Sequence, residues 1–118
     1  MVKIDLFRNS DNTLDFTAGQ TIFKEGDAGN FMYAVVDGEV DLLVKGRLVE
    51  HLTEGGVLGE MALIDTGTRS ATAVAKTACK LVPVDEKQFK FLVQQTPNFA
   101  LQLMRIIAER LRRMDERL

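Results

Sequence analysis

Through residue 85 the chain alternates short runs of apolar and polar residues, punctuated by glycines at 19, 26, 29, 38, 46, 55, 56, 59 and 67. Turns at that spacing, with Val-, Ile-, Phe- and Thr-rich runs between them, predict an all-β barrel or sandwich. The runs place strands at 14–16, 21–23, 31–36, 39–44, 47–52, 70–75 and 79–85, after a short amphipathic start (Ile4, Leu6, Phe7). Asp37-Gly38 reads as a strong hairpin turn and Lys45-Gly46 as a weaker one.

From residue 86 the period lengthens. Asp85 with Gln88 reads as a capping box opening a helix over about 86–95 that buries Phe89, Leu92 and Val93. Thr96 is a natural N-cap and Pro97 fits a first helical position, so a second helix runs from 97 to about 117. Two apolar stripes run along it. Phe99, Leu103 and Ile106 suit packing on the chain's own strands. Met104, Ile107, Leu111, Met114 and Leu118 step by 3 and 4 like a coiled-coil seam, which predicts a homodimer. The surrounding charges, Arg110, Arg112 and Arg113 among them, read as a solvated face, with Glu109 and Arg113 at a favourable i,i+4 spacing.

Composition narrows the function. At 118 residues the chain is sized for one domain. A net charge of −2 gives no electrostatic support for direct nucleic-acid binding. No apolar run reaches the ~18 residues that span a bilayer, and the N-terminus lacks a signal-peptide apolar region, so a cytoplasmic location is expected. His51 is the only histidine, which leaves neither a metal-ligand set nor a Ser/His/Asp constellation. Cys79 is the only cysteine, reads as a small core residue, and cannot hold an iron–sulfur cluster. A non-enzymatic chain without metal or cofactor is expected.

The stretch 57–75, VLGEMALIDTGTRSATAVA, carries the candidate chemistry. One helical turn over 59–63 would offer backbone N–H groups to an anion. Arg69, beyond the polar turn 65–68, would add a fork that grips two phosphate oxygens. Glu60 only accepts hydrogen bonds, so it suits a ligand that also carries hydroxyls. Phosphate plus hydroxyl describes a ribose phosphate. Taken singly, Glu60 is a helix-start acid and Arg69 a surface arginine paired with Glu60 or Asp65; their coincidence with Gly59 and the small residues Ser70 and Ala71 favours a site.

This string resembles the phosphate-binding cassette of the cyclic-nucleotide-binding domain family, which includes the catabolite activator protein, the regulatory subunits of cyclic-AMP-dependent kinase and the cyclic-nucleotide-gated channels. Gly59-Glu60-Met61-Ala62-Leu63 and Arg69-Ser70-Ala71-Thr72 match in order and spacing, with Leu58 where many members have Phe. The resemblance covers essentially the whole chain, 1–118. It implies a mainly β fold, a jelly-roll-like β-roll (double-stranded β-helix) over about 12–85, followed by the two helices. It further implies a regulatory domain binding a 3′,5′-cyclic nucleotide, cyclic AMP with cyclic GMP left open.

The implied roles follow. Arg69, Ser70 and the N–H groups around Met61, Ala62 and Ala71 would hold the phosphate, and Glu60 with the backbone at Gly59 the ribose 2′-hydroxyl. Leu42 and Val49 would wall the base, and Met114 and Asp115 would face it from the last helix, with Arg112 stacking. That helix would serve as lid and relay. Many family members carry an output domain after it. The rival reading is a β-roll scaffold for oligomerisation or protein interaction, with a vestigial pocket.

Overall fold

A computed structural model describes residues 3–65 and 67–116, with side chains given through residue 113. The elements, among the described residues, are β1 (Leu14–Phe16), β2 (Thr21–Phe23), β3 (Phe31–Asp37), β4 (Val40–Val44), β5 (Arg47–Leu52), β6 (Val57–Leu58), α1 (Met61–Ile64), β7 (Thr72–Ala75), β8 (Cys79–Asp85), α2 (Glu86–Gln95) and α3 (Pro97–Glu116). The strands form two antiparallel four-stranded sheets, ordered β1-β8-β3-β6 and β2-β7-β4-β5. The chain passes back and forth between them, so the mainly β roll with C-terminal helices expected from the sequence is what forms.

Period-2 alternation sets the layers. On β3, Met32 and Ala34 face a core shared with the helices, while Val35 faces the second sheet; on β8, Val82 and Val84 divide from Cys79 and Leu81 in the same way. The central strands β3 and β8 are therefore covered on both faces, which explains why they are nearly continuous apolar runs. Ala73 and Ala75 of β7 are fully buried opposite it, and their small side chains leave room between the sheets. The Phe99 ring anchors α3, with Phe7 and Phe89 set edge-on at 6.1 Å each. Burying one such ring contributes roughly 1.5–3 kcal/mol.

Local chemistry sets the ends. The capping box forms in full: Asp85 Oδ1 accepts from Gln88 N at 2.8 Å and Gln88 Oε1 from Asp85 N at 3.0 Å. Thr96 N donates to Leu92 O at 2.8 Å and Thr96 O accepts from Phe99 N at 2.9 Å, so one residue closes α2 and opens α3. Phe89 and Leu92 pack against the core as expected, but Val93 is exposed; none of the residues of α2 is fully buried.

One of the two expected hairpins forms and one does not. Asp37-Gly38 is no hairpin, because β3 and β4 belong to different sheets. The turn docks instead on 76–79, where Lys76 N donates to Glu39 O at 2.9 Å and Glu39 N to Thr77 Oγ1 at 3.0 Å, and this steers the chain across the roll. Lys45-Gly46 is the true two-residue hairpin, with φ of +52° and +76° as that turn requires. Finally, β6 was not foreseen, since two residues carry no period to read.

On the outer face of the second sheet, His51 Nδ1 lies 2.7 Å from Asp41 Oδ1 and Nε2 lies 2.9 Å from Glu39 Oε1. These bonds to Asp41 first and Glu39 second raise the imidazole above its ordinary 6.5, against weaker opposition from burial and Lys76. A raised folded-state pKa stabilises fully below the unfolded value, and the contribution disappears as pH rises through the folded value. His51→Gln is therefore expected to cost more stability at mildly acidic pH than well above neutrality. The difference, read from urea unfolding, should stay within about 1 kcal/mol because the groups are partly solvated.

Candidate functional site

The chain leaves β6 at Gly59, whose φ is +77°, and a Cβ there would stand 2.4 Å from Arg69 Nη1. Only glycine permits that turn and that approach together. Glu60 follows as the N-cap of α1 but makes no capping bond with its side chain. Helix-start acid is thus not its role here. Ala62 N, expected at the phosphate, donates to Gly59 O over a long 3.3 Å.

Backbone bonds fix Arg69 from both sides: its N–H donates to Asp27 O and its carbonyl accepts from Gly26 N, each at 2.8 Å. The side chain is 5% exposed. Its Nη1 donates to Gly59 O at 3.3 Å, its guanidinium carbon lies 4.1 Å from the centre of the Phe23 ring, and Nε has no hydrogen-bond partner. The carboxylate pairing expected of a surface arginine is absent among the described residues. Burial pulls its pKa below the ordinary arginine value, partly offset by Tyr33 and then by Glu60 and Asp27.

Glu60 is 3% exposed and ion-paired with Arg110 of α3. The same guanidinium donates through Nε to Glu50 Oε1 at 2.8 Å, through Nη2 to Glu50 Oε2 at 3.3 Å, and to the Val57 carbonyl. Burial opposes its charge, but Glu60 and Glu50 outweigh burial and raise its pKa above the ordinary value. Arg113 adds a looser contact to Glu50 at 3.5 Å and one to Glu109 at 3.6 Å. The solvated face predicted for these arginines is corrected accordingly: Arg110 and Arg113 point back onto the roll.

Between sheet and helix lies a cavity of about 550 Å³. Gly59, Glu60, Met61, Ala62, Arg69, Ser70 and Ala71 line one end, and Leu42 and Val49 stand in its wall as expected. Leu58 does not reach it; that side chain is fully buried in the core between the sheets, because alternation turns the residue before Gly59 inward. Met114 and Asp115 have no described side chains, and Leu118 lies outside the described residues. The sequence reading missed Phe23, Val44, Glu50, Arg110 and Arg113, and assigned Ile107 and Leu111, also in the lining, only to a seam. Only the alternation of β5 hinted at Glu50, a carboxylate at a half-buried strand position. The lining holds three guanidinium groups: Arg110 is paired with Glu50 and Glu60, Arg113 is shared between Glu50 and Glu109, and Arg69 makes no ion pair among the described residues.

These features define a ligand-binding β-roll, and comparison with known proteins names the class. The family model described as "Cyclic nucleotide-binding domain" matches residues 13–96, and the chain belongs to that family. It is 30% identical over 110 residues to the CRP-like cAMP-activated global transcriptional regulator of Mycobacterium tuberculosis, covering 89% of this chain and 49% of that one. The Thermus thermophilus catabolite activator protein superposes with a TM-score of 0.79 at 34% identity, covering 89% of this chain and 52% of that one. An EAL enzyme solved in cGMP-bound and cAMP-bound forms gives TM-scores of 0.68 and 0.66 at 36% and 33% identity, covering 88% of this chain and 29% of that one. The chain thus spans about half the length of the regulator.

A buried guanidinium with an unsatisfied Nε weakens the ligand-free fold. Arg69→Met, of similar length and apolar, is expected to raise the stability of the ligand-free protein by about 1 kcal/mol in urea unfolding.

Proposed function

We propose that this domain is a sensor that binds a 3′,5′-cyclic nucleotide in the cavity between α3 and the cassette. The observation that carries the reading is Arg69: buried, ion-paired with no carboxylate among the described residues, and lining the cavity. A cyclic phosphate brings one negative charge and two oxygens for the fork. Ser70 and the backbone at Met61, Ala62 and Ala71 complete the phosphate end, and Glu60 accepts from the ribose hydroxyl beside its pairing with Arg110. Leu42, Val49, Ile107 and Leu111 give the base an apolar wall. Cyclic AMP is the favoured ligand, on the strength of the relative named as cAMP-activated. Cyclic GMP is the second, since the EAL enzyme was solved with either.

Transmission would run through α3, which reaches both ends of the site by Arg110. Met104 and Leu111 are 63% and 58% exposed, seven residues apart on one face of the helix. They support the reading of a homodimer seam with Ile107, while Met114 and Leu118 would extend it. A lid that binds ligand and partner on one element couples the two equilibria.

The test is calorimetric titration with cyclic AMP, cyclic GMP and 5′-AMP. Cyclic AMP is expected to bind and 5′-AMP to bind far less; binding of none would favour the scaffold reading instead. Arg69→Lys should weaken cyclic AMP by about 1.5–3 kcal/mol, since lysine keeps the charge but loses the paired donors. Wild type should prefer cyclic AMP to its 2′-deoxy analogue, and equal affinity would remove Glu60 from the site. In sedimentation, saturating ligand should favour dimer, and Leu111→Glu should yield monomer with weaker binding.

A further inference from the structure

Arg69 is held in place by something other than a counter-ion. Gly29 and Gly59 close on it, so that a Cβ at either would stand 2.6 Å from Nε or 2.4 Å from Nη1. Beneath the guanidinium lies the Phe23 ring, centred 4.1 Å from its carbon, and beside Phe23 the Tyr33 ring is stacked at 6.2 Å with 25° between planes. Tyr33 also lies 5.8 Å from the guanidinium and 6.4 Å from the Phe31 ring, so three rings from β2 and β3 form a continuous bed. Register fixes its first member: Phe23 sits directly opposite Ala73 of β7, the strand that follows the cassette.

We propose that Phe23 is a positioning residue for the anion-binding arginine, holding its fork by the negative face of the ring while leaving its charge unneutralised. The proposal rests on the cyclic-nucleotide reading for the identity of the anion. A carboxylate could orient Arg69 equally well, but it would cancel the charge and occupy the same donors that an incoming phosphate needs. An aromatic face contacts the flat of the guanidinium and leaves its in-plane N–H groups free to hydrogen-bond. In a desolvated site the attraction is stronger than at an exposed one.

The experiment has a ligand-free arm and a binding arm. A guanidinium proton above a ring is shifted upfield in the proton spectrum, so the Arg69 Nε–H signal, assigned by its loss in Arg69→Lys, should lie upfield of the other arginines and return to their range in Phe23→Leu. In titration, Phe23→Leu should bind cyclic AMP about ten-fold more weakly, and Phe23→Tyr, which keeps the ring, should recover wild-type affinity. An Arg69 signal in the ordinary range, or wild-type affinity in Phe23→Leu, overturns the proposal. A wild type that shows the upfield signal yet binds no cyclic nucleotide supports the positioning role and overturns the reading of the anion.

Discussion

The fold is arranged around an arginine that is buried and ion-paired with none of the described acids. Arg69 is 5% exposed with an unpartnered Nε, a condition that costs stability unless another group arrives. Everything near it keeps that condition in being. Backbone bonds from 26–27 hold its main chain, two glycines give it space, and a ring supports the face of the guanidinium without using its in-plane donors. A protein selected for stability alone would have put a methionine or leucine there. The unmet donor is the fold's investment in an anion.

The acids of the region are committed elsewhere, and this is what keeps Arg69 open. Glu60 and Glu50 could each have approached it, yet both are drawn to Arg110. A second arginine on the helix thereby separates the carboxylates from the first. The site contains a neutralised region and a positive one side by side, which suits a ligand with a hydroxyl edge and a phosphate edge.

Most of the fold could be read from the chain because its signals are local. The alternation of β3 and β8, the Asp85–Gln88 box and the Thr96-Pro97 junction act over a few residues and appear where expected. The cassette, too, is contiguous, so Gly59, Glu60, Arg69 and Ser70 could be picked out together. What could not be read is pairing over distance. Phe23 reaches Arg69 across 46 positions and Glu50 reaches Arg110 across 60, and nothing in the sequence around either residue names its partner. Asp37-Gly38 failed for the same reason: a turn motif specifies the bend, while the partner of the strand beyond it is set by packing on residues 76–79.

The helix α3 is attached by two kinds of force along its length. Phe99, Leu103 and Ile106 bury its first half, whereas beyond Ile107 it is held chiefly by Arg110 and Arg113 on Glu50 and Glu60, with Leu111 exposed. Arg110 meets Glu50 and Glu60 on side chains that lie mostly out of water, so dissolved salt screens that attachment little, while the more exposed contacts of Arg113 are screened more. Residues 97–116 contain no glycine and no proline after Pro97, so no helix-breaking residue separates the two halves. The helix is therefore a rod fixed by apolar burial over its first half and by a buried charge cluster further along, so that its hold on the roll beyond Ile107 depends on how Arg110 is paired rather than on how much surface is covered.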